Sequence, residues 1–280
     1  MHSADLLTDA AGTLHSCAAP DARIACLVPS ITELVCDLGL AAQLVARTGF
    51  CIHPHHVVAE IPKVGGTKDV NLARLRALAP SHVIVNIDEN EKPTVDEIAR
   101  FVPNVIVTHP NAPRDNLALY RLIGGIFGRE AAAEKLCFDL EAALGAAHAA
   151  TACLPREKVL YLIWNDPWMT VAPGTYISRT LAAIGWDTVG AAGAVDDTRY
   201  PQIDLDTAAR DADLVLLSTE PFMFRASHVA ELARCLPGQR VALIDGEMTS
   251  WYGSRAIPGL RYLPGFRQAC ATPAPPPKAA

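Results

Sequence analysis

One stretch of the sequence, Arg129 to Ala150, constrains the fold more than any other. It contains neither proline nor a β-branched residue, its only glycine is Gly145, and strong helix formers dominate it. Leucines recur every four residues with small apolar side chains beside them. This spacing predicts a continuous apolar stripe on a helix roughly 30 Å long. The stretch fits a rigid spacer between two halves, or a surface helix of one larger α/β domain.

Apolar runs suited to buried parallel strands alternate with helical segments on both sides of this stretch. Ser30 and Glu33 have the spacing of a capping box at the start of the first predicted helix. The predicted strands are 23–29, 43–51, 81–87, 104–108, 158–164, 213–218 and 240–244. The expected organisation is a disordered leader (1–22), an N-terminal α/β lobe (23–128), the spacer helix (129–150), a C-terminal α/β lobe (151–268) and a disordered tail (269–280).

Polar and aromatic residues gather just after several of these strands. In open α/β sheets, ligands bind at the carboxyl ends of the strands. We therefore expect an α/β protein with two Rossmann-like lobes, whose parallel sheets are joined by a single long backbone helix. The expected ligand cleft lies between the lobes, a common position for small-molecule sites.

Composition excludes some function classes. The net charge of −6 and the pI near 5.8 leave no basic stripe to neutralise phosphates, so we expect no nucleic-acid partner. No run of about 18 apolar residues is present, which argues against a membrane span. The eight cysteines lack C-x-x-C and zinc-like spacings, a usage typical of a reducing compartment. Residues 1–23 lack the basic and apolar regions of a secretory signal.

Four segments carry a resemblance to a known family. They are RIACLVPSITELVCDLGL, VGGTKDVNLARLRALAPSHVIV, YLIWNDPWMTV and SWYGSR. In their order along residues 23–268, they resemble the helical-backbone substrate-binding proteins of ABC importers, and among these the periplasmic vitamin B12 binders. The resemblance favours two lobes with a spacer helix over one larger domain.

The resemblance implies a binding protein that performs no chemistry and has no cofactor or resident metal ion. Its ligand would be a cobalamin-like corrinoid or another bulky metal chelate, such as a siderophore or haem. The resemblance further implies a monomer that docks on an ABC permease dimer at the membrane surface. The implied location is the periplasm, with the cytoplasm as the alternative because no signal peptide is recognisable.

The resemblance also implies a set of ligand-binding residues. Aromatic side chains offer wide, rigid contact area to a large flat ligand, and a few polar groups orient it. Thr67 stands where the vitamin B12 binders place a tryptophan against their ligand, which is a departure from the family pattern. The implied ligand contacts are Phe50, Thr67, Trp164, Trp168, Tyr200, Trp251 and Arg255.

The family places one exposed glutamate on each lobe to meet arginines of the permease. Glu220 matches in the second lobe, and Glu89 is our choice in the first, with Glu91 as its rival. Exposed carboxylates that meet arginine clusters steer the encounter and fix the register of the complex.

Three alternatives remain open from the sequence. His53, His55 and His56 lie close together and could serve a receptor for bare Zn²⁺ or Mn²⁺, although no second histidine cluster is present. An enzyme is disfavoured because the sequence has no G-x-S-x-G, P-loop or G-x-G-x-x-G motif. The third alternative is a cytoplasmic corrinoid-handling module with the same fold.

Overall fold

The structure, a computed structural model, describes residues 7–191 and 198–271. The chain divides into two compact units. Unit 1 comprises Met1–Pro110, Arg114–Glu141 and Tyr252–Arg255, and unit 2 comprises Asn111–Pro113, Ala142–Trp251 and Ala256–Ala280. Each unit therefore includes a short segment from a distant part of the chain, in addition to its main body.

Unit 1 is built on a parallel sheet of four strands. The strands are β1 (Ile24–Cys26), β2 (Leu44–Arg47), β3 (His82–Asn86) and β4 (Asn104–Thr108). Their spatial order is β2-β1-β3-β4, and every pair is parallel. The helices of this part of the chain are α1 (Pro29–Asp37), α2 (His55–Val58), α3 (Leu72–Ala77), α4 (Lys92–Ile98) and α5 (Asn116–Ile126).

Unit 2 repeats this arrangement. Its parallel strands are β5 (Glu157–Leu162), β6 (Trp186–Thr188), β7 (Leu214–Ser218) and β8 (Arg240–Ile244), in the spatial order β6-β5-β7-β8. In both sheets the first strand thus lies between the second and the third. The helices are α7 (Tyr176–Ala182), α8 (Leu205–Arg210), α9 (Ala226–Cys235), α10 (Gly246–Ser250) and α11 (Ala256–Ala271).

Apolar side chains cover the sheets, as expected for parallel strands. All five residues of β3 and all five of β7 are buried. In unit 1 a core cluster joins Leu27, Val83 and Val85 to Leu75 of α3 and Ile98 of α4. In unit 2 the corresponding cluster contains the apolar residues Leu160, Leu162, Val215, Leu217, Ala208 and Leu232. The two sheets therefore have separate cores.

The long helix α6 spans Glu130–Thr151, 22 residues, close to the predicted 129–150. Its buried side follows the predicted apolar stripe, and the small side chains of the stripe are buried more deeply than two of its leucines. Leu140 is buried together with Ala133, Cys137, Ala143 and Ala147. Leu136 and Leu144 are half-buried. Small residues on the buried side allow neighbouring elements to approach the helix closely.

The two-lobed α/β fold with parallel sheets is confirmed, and seven of the eight strands overlap predicted ones. The sequence analysis missed β6, because Trp186–Thr188 contains a single apolar residue and lies at the edge of its sheet. It also missed α8 and α11, and it treated α10 as loop. Among the described residues, no helix has the length and apolar character needed to cross a membrane.

The predicted capping box at Ser30 and Glu33 is wrong. Helix α1 begins at Pro29, a residue suited to the first turn because it has no N–H to leave unpaired. Val28 is the N-cap and makes no side-chain capping bond. Ser30 is buried, and Glu33 forms an ion pair with Arg255.

The predicted leader and tail also need correction. Residues 7–22 are ordered: Ala10 N donates to Val107 O of β4, and Ala18 N donates to Ile126 O of α5. The buried carboxylate of Asp9 accepts hydrogen bonds from the backbone of Ala11, Thr13 and Val107. Residues 269–271 belong to α11. The rest of the predicted leader and tail, 1–6 and 272–280, lies outside the described residues.

Candidate functional site

The candidate residues follow the carboxyl ends of strands in both sheets. Phe50 comes three residues after β2, and Glu89 three residues after β3. Trp164 and Glu220 each come two residues after a strand, β5 and β7 respectively. Trp251 directly follows α10, which itself begins two residues after β8. Because parallel strands end at the same edge of a sheet, each unit gathers its candidates at its carboxyl edge.

In unit 1, Phe50 lies beside the turn that contains Thr67. The side chain of Phe50 is 62% exposed, a high value for a phenylalanine. Gly49 N donates to Gly65 O at 2.7 Å, and a Cβ on Gly66 would lie 3.3 Å from Phe50 Cε2. Asn90 Nδ2 donates to Thr67 O at 2.9 Å, which fixes the far side of the turn. Unit 1 therefore presents an aromatic ring beside a braced turn.

The segment Tyr252–Arg255 follows unit 2 in the sequence but belongs to unit 1. Tyr252 Oη donates to Glu89 Oε1. Gly253 N donates to Asn116 Oδ1 at 2.7 Å, and Gly253 O accepts from Tyr120 Oη at 2.8 Å. These bonds, all made by buried or half-buried groups, hold the segment on the α5 side of unit 1.

Arg255 forms a bidentate ion pair with Glu33 of α1. Its Nε and Nη2 lie 2.8 and 2.7 Å from the two carboxylate oxygens, and the two side chains are only 12% and 16% exposed. The sequence analysis expected this guanidinium to contact ligand. Glu33 takes the Nε and Nη2 donors of Arg255. Because an arginine has further N–H donors, contact between Arg255 and a ligand stays a prediction.

In unit 2, Trp164 and Trp168 belong to one aromatic cluster. The Trp164 ring meets Phe222 edge-on at 5.6 Å, Phe222 meets Phe224 at 4.7 Å, and Trp168 stacks on Phe224 at 6.0 Å. Trp164 is 40% exposed, whereas Phe224 is buried and Trp168 packs against the core of the unit. The cluster therefore packs against one side of the Trp164 ring and leaves the rest of the ring exposed.

Tyr200 is half-buried in a short segment that pairs with the loop after β5. Thr170 N donates to Pro201 O at 3.0 Å, and Ala172 N donates to Arg199 O at 2.8 Å. Arg199 Nη2 also donates to Asn111 Oδ1 at 2.7 Å. The segment is thus fixed beside the loop that carries Trp168.

Glu220 and Trp251 lie together in unit 2. Glu220 accepts hydrogen bonds from the Ser250 hydroxyl and from the Trp251 side chain. Trp251 is only 8% exposed. Burial raises the pKa of the Glu220 carboxyl above its usual range, and the bond from Ser250 opposes this effect. The resemblance predicts exposed docking glutamates; Glu220 and Glu89 are half-buried, whereas the rival Glu91 is exposed.

The raised pKa of Glu220 leads to a pH-dependent prediction. The folded chain binds this proton more tightly than the unfolded chain does, so the protonated carboxyl favours folding at low pH. This contribution to the free energy of unfolding is lost as the pH rises from about 4.5, the ordinary pKa of the group, through the raised pKa. Glutamine at position 220 cannot ionise. We expect Glu220→Gln to gain stability relative to wild type as the pH rises above about 4.5, measured by urea unfolding. Glu231→Gln, at an exposed glutamate of α9, is the matched control; an equal gain in both variants would contradict the assignment.

The three clustered histidines do not form a metal centre in the described structure. His55 and His56 are exposed on α2, and His53 precedes them across Pro54. Within residues 7–191 and 198–271, no group of three or more His, Cys, Asp or Glu side chains is arranged to hold a metal ion.

Sequence reasoning missed several residues that shape the site. Phe222 follows β7 and could have been identified from its position at the end of a predicted strand. Asn90, Glu33 and Tyr252 act through contacts with residues 23, 222 and 163 positions away. No local pattern in the sequence signals such distant pairs.

The fold and its strand-end residues define the chain as a two-lobed α/β protein with polar and aromatic carboxyl edges. A family model described as periplasmic binding protein matches residues 24–233. The chain therefore belongs to the periplasmic binding protein family. Members of this family bind small molecules for ABC transporters and work in the periplasm or outside the cell. The chain is accordingly a binding protein and not an enzyme.

Solved structures share this fold at low sequence identity. The periplasmic vitamin B12 binding protein BtuF of Vibrio cholerae is 17% identical, with 89% of this chain and 97% of that chain covered and a TM-score of 0.74. The periplasmic heme-binding protein RhuT from Roseiflexus sp. RS-1 is 20% identical, with coverage of 90% and 99% and a TM-score of 0.77. The periplasmic heme-binding protein HutB of Vibrio cholerae is 21% identical, with coverage of 88% and 99% and a TM-score of 0.71. No curated protein sequence matches the chain.

Proposed function

We propose that this protein captures a bulky, flat metal chelate of the corrinoid or haem class and delivers it to an ABC permease. The observation that carries the proposal is the exposure of aromatic surface at both carboxyl edges, 62% for Phe50 and 40% for Trp164. Both side chains are open just after a strand, where parallel α/β sheets bind ligands, and aromatic rings suit a planar ligand.

The choice of ligand class follows from the relatives. The structures with this fold include one named for vitamin B12 binding and two named for heme binding. Corrin and porphyrin are both wide metal-bearing macrocycles, so one arrangement of aromatic side chains suits either. Vitamin B12 binders are expected to have a tryptophan where this chain has Thr67. Because this chain departs from their pattern, haem is as good a candidate ligand as a corrinoid. The ligand's position between the lobes stays a prediction from the family resemblance.

Delivery requires docking on a permease dimer, and we assign this to Glu89 and Glu220, with Glu91 as the rival in unit 1. Carboxylates at the rim of an interface steer an arginine-bearing partner and set its register. The protein would act as a monomer in the periplasm. Half-burial of Glu89 and Glu220 means that a permease arginine must compete with the bonds these carboxylates already accept.

Tryptophan fluorescence tests the ligand class. Cyanocobalamin and haem absorb in the range of tryptophan emission, so a chelate near Trp164 and Trp251 should quench it. We expect saturable quenching by at least one of the two, with a dissociation constant on the order of 1 µM or tighter. Quenching that rises linearly without saturation for both chelates would refute the proposed ligand class.

A further inference from the structure

Three carboxylates hold one short segment of the chain, Ser250–Arg255, which we name the SWYGSR segment. Glu220 accepts from Ser250 and Trp251 at its start. Glu89 accepts from Tyr252 in its middle, and Glu33 pairs with Arg255 at its end. The boundary between the units falls between Trp251 and Tyr252. Adjacent residues are thus held by a glutamate of unit 2 on one side and a glutamate of unit 1 on the other.

The burial of the donors makes these bonds consequential. Trp251 and Tyr252 are each only 8% exposed. A hydrogen bond inside a protein is electrostatically stronger than the same bond in water. Removal of either the donor or the carboxylate breaks this hydrogen bond while the remaining group stays buried, which lowers stability. The conformation of the segment therefore depends on its carboxylate partners as well as on its own packing.

We propose that Glu220 and Glu89 are positioning residues for the SWYGSR segment, so that a permease arginine binding either carboxylate loosens the segment that carries Trp251. The second half of this statement rests on the proposed function, because it uses the same two glutamates for docking. The first half concerns the protein alone.

The coupling follows from the geometry of carboxylate recognition. A guanidinium takes both oxygens of a carboxylate in a bidentate pair, as Arg255 does with Glu33. A permease arginine that took Glu220 in this way would compete with the Ser250 hydroxyl, and one on Glu89 would compete with Tyr252. The Glu33–Arg255 pair, only 12–16% exposed, would keep the end of the segment in place. Docking would therefore loosen Ser250 to Tyr252, while Gly253 stays bonded to Asn116 and Tyr120 and Arg255 stays paired with Glu33.

Hydrogen–deuterium exchange of the full-length, ligand-free protein tests the positioning role. We expect Glu220→Ala and Glu89→Ala to speed amide exchange in peptides covering residues 246–255 by about fivefold or more. Ser250→Ala and Tyr252→Phe remove the donors while keeping the carboxylates, and should have the same effect. Glu60→Ala and Glu231→Ala, at exposed acidic residues of units 1 and 2, serve as controls and should leave these peptides unchanged.

The conservative variants distinguish hydrogen bonding from charge. Glutamine keeps an acceptor oxygen, so Glu220→Gln and Glu89→Gln should restore slow exchange in the segment. Unchanged exchange in the alanine variants, or glutamine variants as fast as alanine, would overturn the positioning role.

A second measurement addresses coupling to release. Ser250→Ala retains all three carboxylates, and we expect it to speed dissociation of bound cyanocobalamin or haem by about fivefold or more in stopped-flow experiments. Equal dissociation rates in variant and wild type would overturn the coupling. If neither chelate binds the wild-type protein, the proposed function and the coupling that rests on it both fail, while the exchange data still decide the positioning role.

Discussion

Gly185→Ala is expected to lower the free energy of unfolding by about 3–5 kcal/mol, the largest effect that we predict for a single methyl group. Gly185 has φ of +83°, in the left-handed region that strains any residue with a Cβ. A Cβ at this position would also overlap Nη1 of Arg267. The substitution therefore combines backbone strain with displacement of a buried cation.

Displacement of the buried Arg267 side chain would be unfavourable. Its side chain is only 1% exposed, and its guanidinium donates to Ile184 O and Pro155 O. The guanidinium carbon lies 6.0 Å from the centre of the buried Trp186 ring, within range of a cation–π interaction. Burial lowers the pKa of this guanidinium from its usual value. Movement of the side chain would leave a charge and two carbonyl groups without their partners.

Gly238 provides a matched control for the backbone strain that a Cβ causes at positive φ. Its φ is +89°, but a Cβ there would meet no atom within 4 Å. Gly238→Ala should therefore cost only about 1–2 kcal/mol of stability. Urea unfolding followed by tryptophan fluorescence measures both variants. Equal losses at the two positions would show that the overlap with Arg267 contributes nothing.

Phe50→Ala and Trp164→Ala are each expected to weaken chelate binding by about 1–3 kcal/mol, or roughly 5- to 150-fold. Phe50 is 62% exposed, so its removal should change stability by less than about 1 kcal/mol and separates ligand contact from folding. Trp164 is 40% exposed and also loses its edge-on contact with Phe222, so the stability of Trp164→Ala is measured alongside its affinity. Trp251 is less suitable for this purpose, because at 8% exposure its removal also disturbs packing.

Phe138 is the matched control for these two aromatics. It lies within helix α6 and does not follow a strand, and 72% of its side chain is exposed. Phe138→Ala should leave the affinity for cyanocobalamin and haem unchanged in calorimetric titrations. If Phe50→Ala and Trp164→Ala bind as tightly as Phe138→Ala, neither aromatic contacts the chelate.

The sequence was sufficient for the sheets and the long helix, because these elements have strong local patterns. Runs such as HVIVN in β3 and LVLLS in β7 have continuous apolar centres, and such runs indicate parallel strands buried on both faces. The family resemblance singled out Phe50, Trp164 and Glu220, and each of them lies just after a strand. Patterns of this kind depend only on neighbouring residues, so a single sequence reveals them.

The remaining features depend on distant residues and could not be predicted in the same way. Glu33 resembles a capping residue locally, yet its partner Arg255 lies 222 positions away. Asp9 makes residues 7–22 an ordered part of unit 1 through a bond to Val107, 98 positions away. Glu220 is predicted from the sequence as an exposed docking carboxylate, yet it is half-buried and accepts hydrogen bonds from Ser250 and Trp251. Burial and pairing of polar groups are tertiary properties that composition and periodicity do not specify.

The most direct test of the ligand class is native mass spectrometry of the protein mixed separately with cyanocobalamin, haem, a ferric siderophore and Zn²⁺. Our account predicts a complex of one chelate per chain that survives desolvation for cyanocobalamin or haem, and no stoichiometric Zn²⁺ adduct. A protein that takes up Zn²⁺ at a fixed ratio while it remains unbound in the presence of every chelate would contradict the account.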